Sequence, residues 1–207
     1  MFDLALKVVI AYLLGSLLGS LIIGKLRGGV DIRKLGSGNA GGTNALRTQG
    51  PWFAAGVMII DVGKGWFASA SLPTLTFLEP ISGGEWLAIA CAVAVVVGHV
   101  YPIWFGFRGG KGAATLIGTV IGLKAIAAIP TMIVWLCVLL LTGYVGLATM
   151  IATASFPVYA WIVGSKSLVV FGVVMTLFVV FTHRSNIVRM RRGTEHRSQR
   201  LWLLRPR

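Results

Sequence analysis

The chain has 207 residues, of which 56% are hydrophobic and 12% charged, and its formal net charge is +13. Soluble domains carry about 25% charged residues, so this balance excludes an ordinary water-soluble fold and points to an integral membrane protein. Cys91 and Cys137 each sit alone in an apolar run, and they read as packing residues rather than as a disulfide or metal set.

A spanning helix needs roughly 20 mostly apolar residues, and Leu4–Gly24 is the first stretch to qualify. It lacks the basic start and the small-residue cleavage site of a secretory signal, so it is read as a retained helix. Gly15, Ser16, Gly19 and Ser20 form a small-residue stripe along it, which suits close helix packing. The polar stretch "KLGSGNAGGTNALRTQG" follows at Lys34–Gly50, and Pro51–Leu72 returns across the bilayer. "PTLTFLEPISGGE" is the next loop, and Glu85–Phe107 the next span. A second polar stretch, "GHVYPIWFGFRGGKGAAT", covers Gly98–Thr115. Gly112–Leu123, Ala125–Leu141, Tyr144–Val163 and Leu168–Thr182 complete the apolar runs, and "THRSNIVRMRRGTEHR" closes the series at Thr182–Arg197.

The expected fold is an all-α bundle of about seven transmembrane helices, some short, with the N-terminus outside and the C-terminus cytoplasmic. Merging the short fourth helix with its neighbours gives five spans. Residues 1–195 form a single membrane domain, and 196–207 a basic C-terminal extension. Of the 19 Lys and Arg residues, 15 fall in Lys25–Arg47, at Arg108 and Lys111, or in Arg184–Arg207. Cytoplasmic loops are the ones enriched in Lys and Arg, so all the basic regions are expected on that side. The basic tail adjoins the last span, which makes anionic lipid headgroups its expected partner and nucleic acid a poor one.

Irregular backbone at membrane depth persists where protein or water surrounds it, so glycine-rich loops there need a reason. Glycine lets several N–H groups converge on one point, and such a nest binds anions. "GSGNAGGTN" offers that nest: Gly38, Asn39 and their neighbours supply backbone, Ser37, Thr43 and Asn44 add donors, and Arg47 adds a cation. In the second stretch Lys111 lies among Gly109, Gly110 and Gly112, beside Arg108 and ahead of a helix. That is a phosphate cradle in physical terms, although position 105 is Phe and Gly112 follows Lys111, so no P-loop is present. His99 is either a partner in this cradle or a packed interior histidine. In the third stretch His183 and Asn186 would share one helix face if the last span continued. Asp61 and Lys64, three apart in the second span, read as an ion pair turned toward the polar stretches, with Lys64 reaching an anion as the alternative.

The six acidic residues include no paired-carboxylate motif, and no HExxH, GxSxG or Cys/His cluster occurs. Acid–base chemistry by paired carboxylates and a metal-dependent phosphotransfer are both disfavoured. A cationic, glycine-lined site beside apolar helices suits a lipid phosphate. An anion transporter shares these features, but its site would lie at the midplane between repeats, whereas the polar stretches here fall on one face.

"GSGNAGGTN", "GHVYPIWFGFRGGKGAAT", "HRSNIVRMRRGTE" and "DVGKG" at Asp61–Gly65 resemble, in order and spacing, the motifs of the bacterial acyl-phosphate–glycerol-3-phosphate acyltransferases, the PlsY family. The resemblance covers essentially the whole chain. It implies an inner-membrane enzyme with its active site toward the cytoplasm. Such enzymes move an acyl group from acyl phosphate to the 1-hydroxyl of glycerol 3-phosphate, giving lysophosphatidic acid and phosphate, with no metal or cofactor. The enzyme that makes the acyl phosphate is a candidate partner. On this reading Ser37, Gly38, Asn39, Thr43, Asn44, Arg47, Lys64, His99, Arg108, Gly109, Gly110 and Gly112 bind substrate or phosphate, and Lys111, His183 and Asn186 are catalytic. His183 or a substrate phosphate takes the hydroxyl proton, and Asn186 or Asn44 steadies the oxyanion. The chain departs from the family pattern at Gly143 and Gly146, where arginine and serine are usual. The polar segments are expected to meet at one pocket.

Overall fold

The computed structural model describes residues 2–77, 84–199 and 201–204. Part of the sequence-predicted loop after the second span, with Glu79, and the tail residues Arg200 and 205–207 lie outside them. Every regular element among the described residues is helical, in agreement with the expected all-α membrane fold. They fall into two compact units, residues 1–124 and 125–207.

The first unit holds α1 (Phe2–Gly15), α2 (Gly19–Leu26), α3 (Gly42–Gln49), α4 (Pro51–Trp66), α5 (Gly84–Val100) and α6 (Ala113–Lys124). The expected single helix over Leu4–Gly24 is in fact two, because α1 and α2 meet at a 49° bend. Residues 16–18 break the ladder, and the small-residue stripe lies across that break. Small residues let helix backbones approach closely, and they do so here. A Cβ on Gly15 would overlap the Val95 carbonyl, and one on Gly98 the Tyr12 carbonyl, so α1 and α5 touch main chain to main chain. Gly65 against the Thr115 carbonyl and Gly118 against the Val62 carbonyl do the same for α4 and α6. At the start of α1, Lys7 pairs with Asp3 at 2.8 Å and donates to the Pro73 carbonyl at 3.1 Å, both side chains being buried. A small core of Ile32, Ala45, Phe53, Ala54 and Val57 seats α3 against α4.

The second unit holds α7 (Ala128–Thr142), α8 (Val145–Ile162), α9 (Lys166–Thr182) and α10 (Arg184–Arg191). Pro157 lies inside α8, where a proline leaves the carbonyl four residues earlier without its N–H. That carbonyl belongs to Thr153, and the Thr176 hydroxyl of α9 lies 3.2 Å from it, its one proton shared with the Gly172 carbonyl at 2.7 Å. Phe156 and Phe171 pack edge to face at 5.8 Å beside this contact. α9 and α10 meet at a 55° bend, so the last span does not continue straight through His183. Beyond α10 the tail folds back onto the end of α7. Ser198 N–H donates to the Gly143 carbonyl at 2.8 Å, Leu203 N–H to Leu140 at 2.9 Å and Trp202 Nε1–H to Leu141 at 3.1 Å. The Arg197 guanidinium stacks on Tyr144 and Trp202, 4.5 and 4.1 Å from their ring centres.

Among the described residues four helical stretches are long and apolar enough to cross a membrane, or six when each bent pair counts as one span. The sequence reading separates Gly112–Leu123 from Ala125–Leu141, whereas Ala113–Thr142 is a 30-residue apolar helical stretch. Large apolar side chains such as Ile129, Ile133, Leu136, Trp161 and Leu177 stay exposed, as lipid-facing positions must.

Candidate active site

The break in the first helix organises the first unit. Backbone groups freed at membrane depth must find partners within the protein, and α4 supplies them. Lys64 Nζ donates to the Gly15 carbonyl at 2.9 Å and the Leu17 carbonyl at 2.8 Å. It also pairs with Asp61 Oδ1 at 2.9 Å and meets His99 Nδ1 at 3.0 Å. Asp61, fully buried, accepts from the Gly19 N–H at 3.2 Å. The expected Asp61–Lys64 pair is therefore present, and it faces the broken backbone. An ammonium has three protons, and the Gly15, Leu17 and Asp61 oxygens stand where they take all three. Lys64 accordingly closes the helix break.

The His99 ring is buried, and its Nδ1 lies within hydrogen-bond reach of Lys64 Nζ. Its main chain turns back on the second glycine loop: the Gly110 N–H donates to the His99 carbonyl at 3.1 Å and Gly109 N–H to Val100 at 3.2 Å. Lys111 follows, half-buried, between Gly110 and Gly112, whose φ of +86° favours glycine. Gly112 leads directly into α6. Arg108 is exposed.

The first glycine loop is built around one amide. Asn44 is 1% exposed. Its Nδ2 shares two protons among the carbonyls of Ile32, Leu35 and Asn39 at 2.9, 3.0 and 3.0 Å, and its Oδ1 accepts from the Ser37 N–H at 2.9 Å. Asn44 therefore shapes the nest, and its polar atoms are spent on backbone rather than offered to an oxyanion. Gly36 and Gly38 take positive φ within the loop, at +56° and +73°. Ser37 is exposed, Thr43 sits half-buried in the first turn of α3, and Arg47 projects, exposed, from its last turn. The Ser20 hydroxyl binds the Ala40 carbonyl at 2.6 Å and so fixes the loop to α2.

Arg33, which sequence reasoning missed, joins the two loops. Its guanidinium grips Asp31 at 2.8–3.2 Å and donates to the carbonyls of Phe105 and Arg108 at 3.1 and 2.9 Å. The hydrogen bonds from Arg33 hold the Asp31 carboxyl below its usual range. Ser16 of the helix break accepts from the Ile103 N–H at 3.3 Å, and Tyr12 donates to the Tyr101 carbonyl at 2.8 Å. Both polar loops of the first unit are thereby held to the same broken helix.

In the second unit His183 and Asn186 are buried on either side of the α9–α10 bend. His183 Nδ1 lies 2.9 Å from the Val179 carbonyl. A carbonyl only accepts, so the neutral ring keeps its proton on Nδ1 and its lone pair on Nε2. Asn186 Nδ2 donates to Glu195 Oε1 at 2.8 Å, and Arg189 Nε to Glu195 Oε2 at 2.6 Å. Glu195 is one of only six acidic residues, and nothing in its spacing marks it as the holder of Asn186. The Asn186 amide lies against Gly146, where an added Cβ would stand 3.0–3.2 Å away. Gly143, at φ +74°, faces Trp202 and Arg197 of the tail. Among the described residues no three His, Cys, Asp or Glu gather as a metal would require.

Apolar helices broken around buried charge, with glycine loops held beside cations, define a membrane protein that handles an anionic substrate. The family model for glycerol-3-phosphate acyltransferase matches residues 5–193. The glycerol-3-phosphate acyltransferase of Brucella anthropi is 39% identical over 187 residues, 90% of this chain and 89% of that one. That of Aquifex aeolicus is 38% identical over 191 residues, 92% and 96% of the two chains. Two crystal structures of PlsY (YgiH), an integral membrane glycerol 3-phosphate acyltransferase, superpose with TM-scores of 0.85 and 0.83 at 35% identity, each covering 94% of both chains. One is its glycerol 3-phosphate form and the other its lysophosphatidic acid form. This chain belongs to the glycerol-3-phosphate acyltransferase family and is a membrane acyltransferase of phospholipid synthesis.

Proposed function

We propose that the chain transfers a fatty acyl group from acyl phosphate to the sn-1 hydroxyl of glycerol 3-phosphate, releasing lysophosphatidic acid and inorganic phosphate. The observation that carries this reading is the pair of glycine loops that Arg33 binds together, one bearing Ser37, Thr43 and Arg47 and the other Lys111. Each charge-assisted hydrogen bond to phosphate contributes about 1.5–3 kcal/mol. PlsY in its glycerol 3-phosphate and lysophosphatidic acid forms supports the acceptor and the product.

Acyl phosphate is a mixed anhydride, so the chemistry needs no covalent nucleophile. The acceptor oxygen attacks the acyl carbon, the bond from that carbon to the phosphate oxygen breaks, and phosphate leaves with the electron pair. Ser37, Thr43, Arg47, Lys111 and the loop N–H groups bind phosphate and stabilise the departing charge. His183, buried at the α9–α10 bend, takes the hydroxyl proton; a substrate phosphate is the alternative acceptor of that proton. Asn186, held by Glu195, is the remaining oxyanion donor. The enrichment of Lys and Arg in the polar segments supports a site at the cytoplasmic face of the bacterial inner membrane, with the N-terminus outside. The producer of acyl phosphate is the partner from which the substrate comes.

The test is phosphate release from palmitoyl phosphate, with and without glycerol 3-phosphate, against palmitoyl-CoA as rival donor. Release that requires both palmitoyl phosphate and the acceptor is expected. Release indifferent to glycerol 3-phosphate, or turnover of palmitoyl-CoA alone, refutes the assignment. His183→Asn separates the two bases: if the loss is small and the pH–rate profile is intact, histidine is not the base.

A further inference from the structure

We infer that the His99 ring is a strut that sets the position of the Gly109–Gly112 loop, and hence where Lys111 presents its charge. The inference rests on the reading of Lys111 as a phosphate ligand. His99 is 2% exposed, and its Nδ1 edge is fixed by Lys64 at 3.0 Å, with Asp61 Oδ1 at 3.6 Å. Lys64 is in turn pinned to two carbonyls of the broken helix. The opposite edge of the ring meets the loop. A Cβ on Gly110 would overlap Nε2 and crowd Cδ2 and Cε1 at 3.0 and 3.1 Å. The same histidine holds Gly110 by its main chain, through the 3.1 Å hydrogen bond to its carbonyl. One residue therefore grips the loop from two directions just before Lys111.

The glycines differ in what excludes a side chain, which makes the strut testable. Gly110 has no positive φ, so only the ring bars an alanine there. At Gly109 an added Cβ would overlap the His99 carbonyl, which no side-chain change removes. Gly112 is held at φ +86°, where any Cβ is strained. A packed interior histidine with no bearing on the loop predicts no coupling between His99 and Gly110.

The full chain in detergent is assayed for phosphate release over ranges of glycerol 3-phosphate and of palmitoyl phosphate. Gly110→Ala is expected to raise at least tenfold the KM of the substrate whose phosphate Lys111 binds, with kcat changed less. Adding His99→Asn, which keeps an acceptor for Lys64 but removes the far edge of the ring, is expected to recover at least half of that loss on a logarithmic scale. The same addition to Gly109→Ala should recover nothing. Losses from Gly110→Ala and His99→Asn that simply multiply, or a Gly110→Ala within twofold of the parent, overturn the strut. If Gly110→Ala fails to fold, His99→Asn alone decides: a raised KM with kcat within threefold supports the strut, and an unchanged KM overturns it. Lys111→Ala separates the two levels. Unchanged kinetics there overturn the phosphate reading and this one with it, whereas lost turnover combined with absent coupling overturns the strut alone.

Discussion

Replacing Lys64 by methionine tests the account of the broken first helix most directly. The side chain is 7% exposed and its partner Asp61 is fully buried. Breaking a buried pair from one side costs about 3–5 kcal/mol, because the surviving charge is stranded. The carbonyls of Gly15 and Leu17 lose their donor as well, at about 1 kcal/mol each. Protonation of the stranded carboxyl limits the total, so roughly 4 kcal/mol is expected, nearly a thousandfold in the unfolding equilibrium. Reversible unfolding in mixed micelles, followed by the fluorescence of the 7 tryptophans, measures it. Asp61→Asn combined with Lys64→Met removes the stranded charge and should regain more than half of the loss. A single variant that costs less than about 1 kcal/mol, or a double variant worse than the single, refutes the reasoning.

Other consequences are more local. Asn44→Ala strips the loop of a buried amide that bonds to four backbone groups; a loss of at least about 2 kcal/mol and faster amide exchange at Ser37 are expected. Thr176→Val uncovers the Thr153 carbonyl left by Pro157, and interhelical bonds of this kind in membranes contribute about 0.6–1.7 kcal/mol, readable in the same micelle titration. Because Asp31 is held below its usual range by Arg33, its contribution is complete above the unfolded pKa of about 3.9. It is lost as pH falls through the lower folded value. Exchange at the Arg33 N–H, which Asp31 Oδ1 accepts at 3.0 Å, should therefore quicken below about pH 4 in the parent and show no such step in Asp31→Asn.

The membrane class and the polar stretches were legible because both are written in composition: apolar runs long enough to span, and glycines interleaved with donors. The breaks at residues 16–18 and at His183 were not, since nothing in an apolar run marks where its ladder opens. What closes the first break lies on another helix, with Lys64 far along the chain from Gly15. The same distance hid His99, whose role depends on a lysine 35 positions away. Arg33 lies unmarked among the cations of Lys25–Arg47, and only the fold shows the Phe105 and Arg108 carbonyls it reaches. Asn44 misled for another reason. An amide that builds a nest and an amide that serves a ligand have the same sequence signature, and only the geometry of its neighbours tells them apart.

The tail carries a consequence for the order of synthesis. The carbonyls of Leu140 and Leu141 at the end of α7 are met by Leu203 and Trp202, and Trp202 lies 61 residues beyond Leu141. During translation that helix end waits without these partners while α8, α9 and α10 are made. Nascent chains stopped short of Trp202 leave the Gly143 turn uncovered, and faster proteolysis at that turn is the expected result.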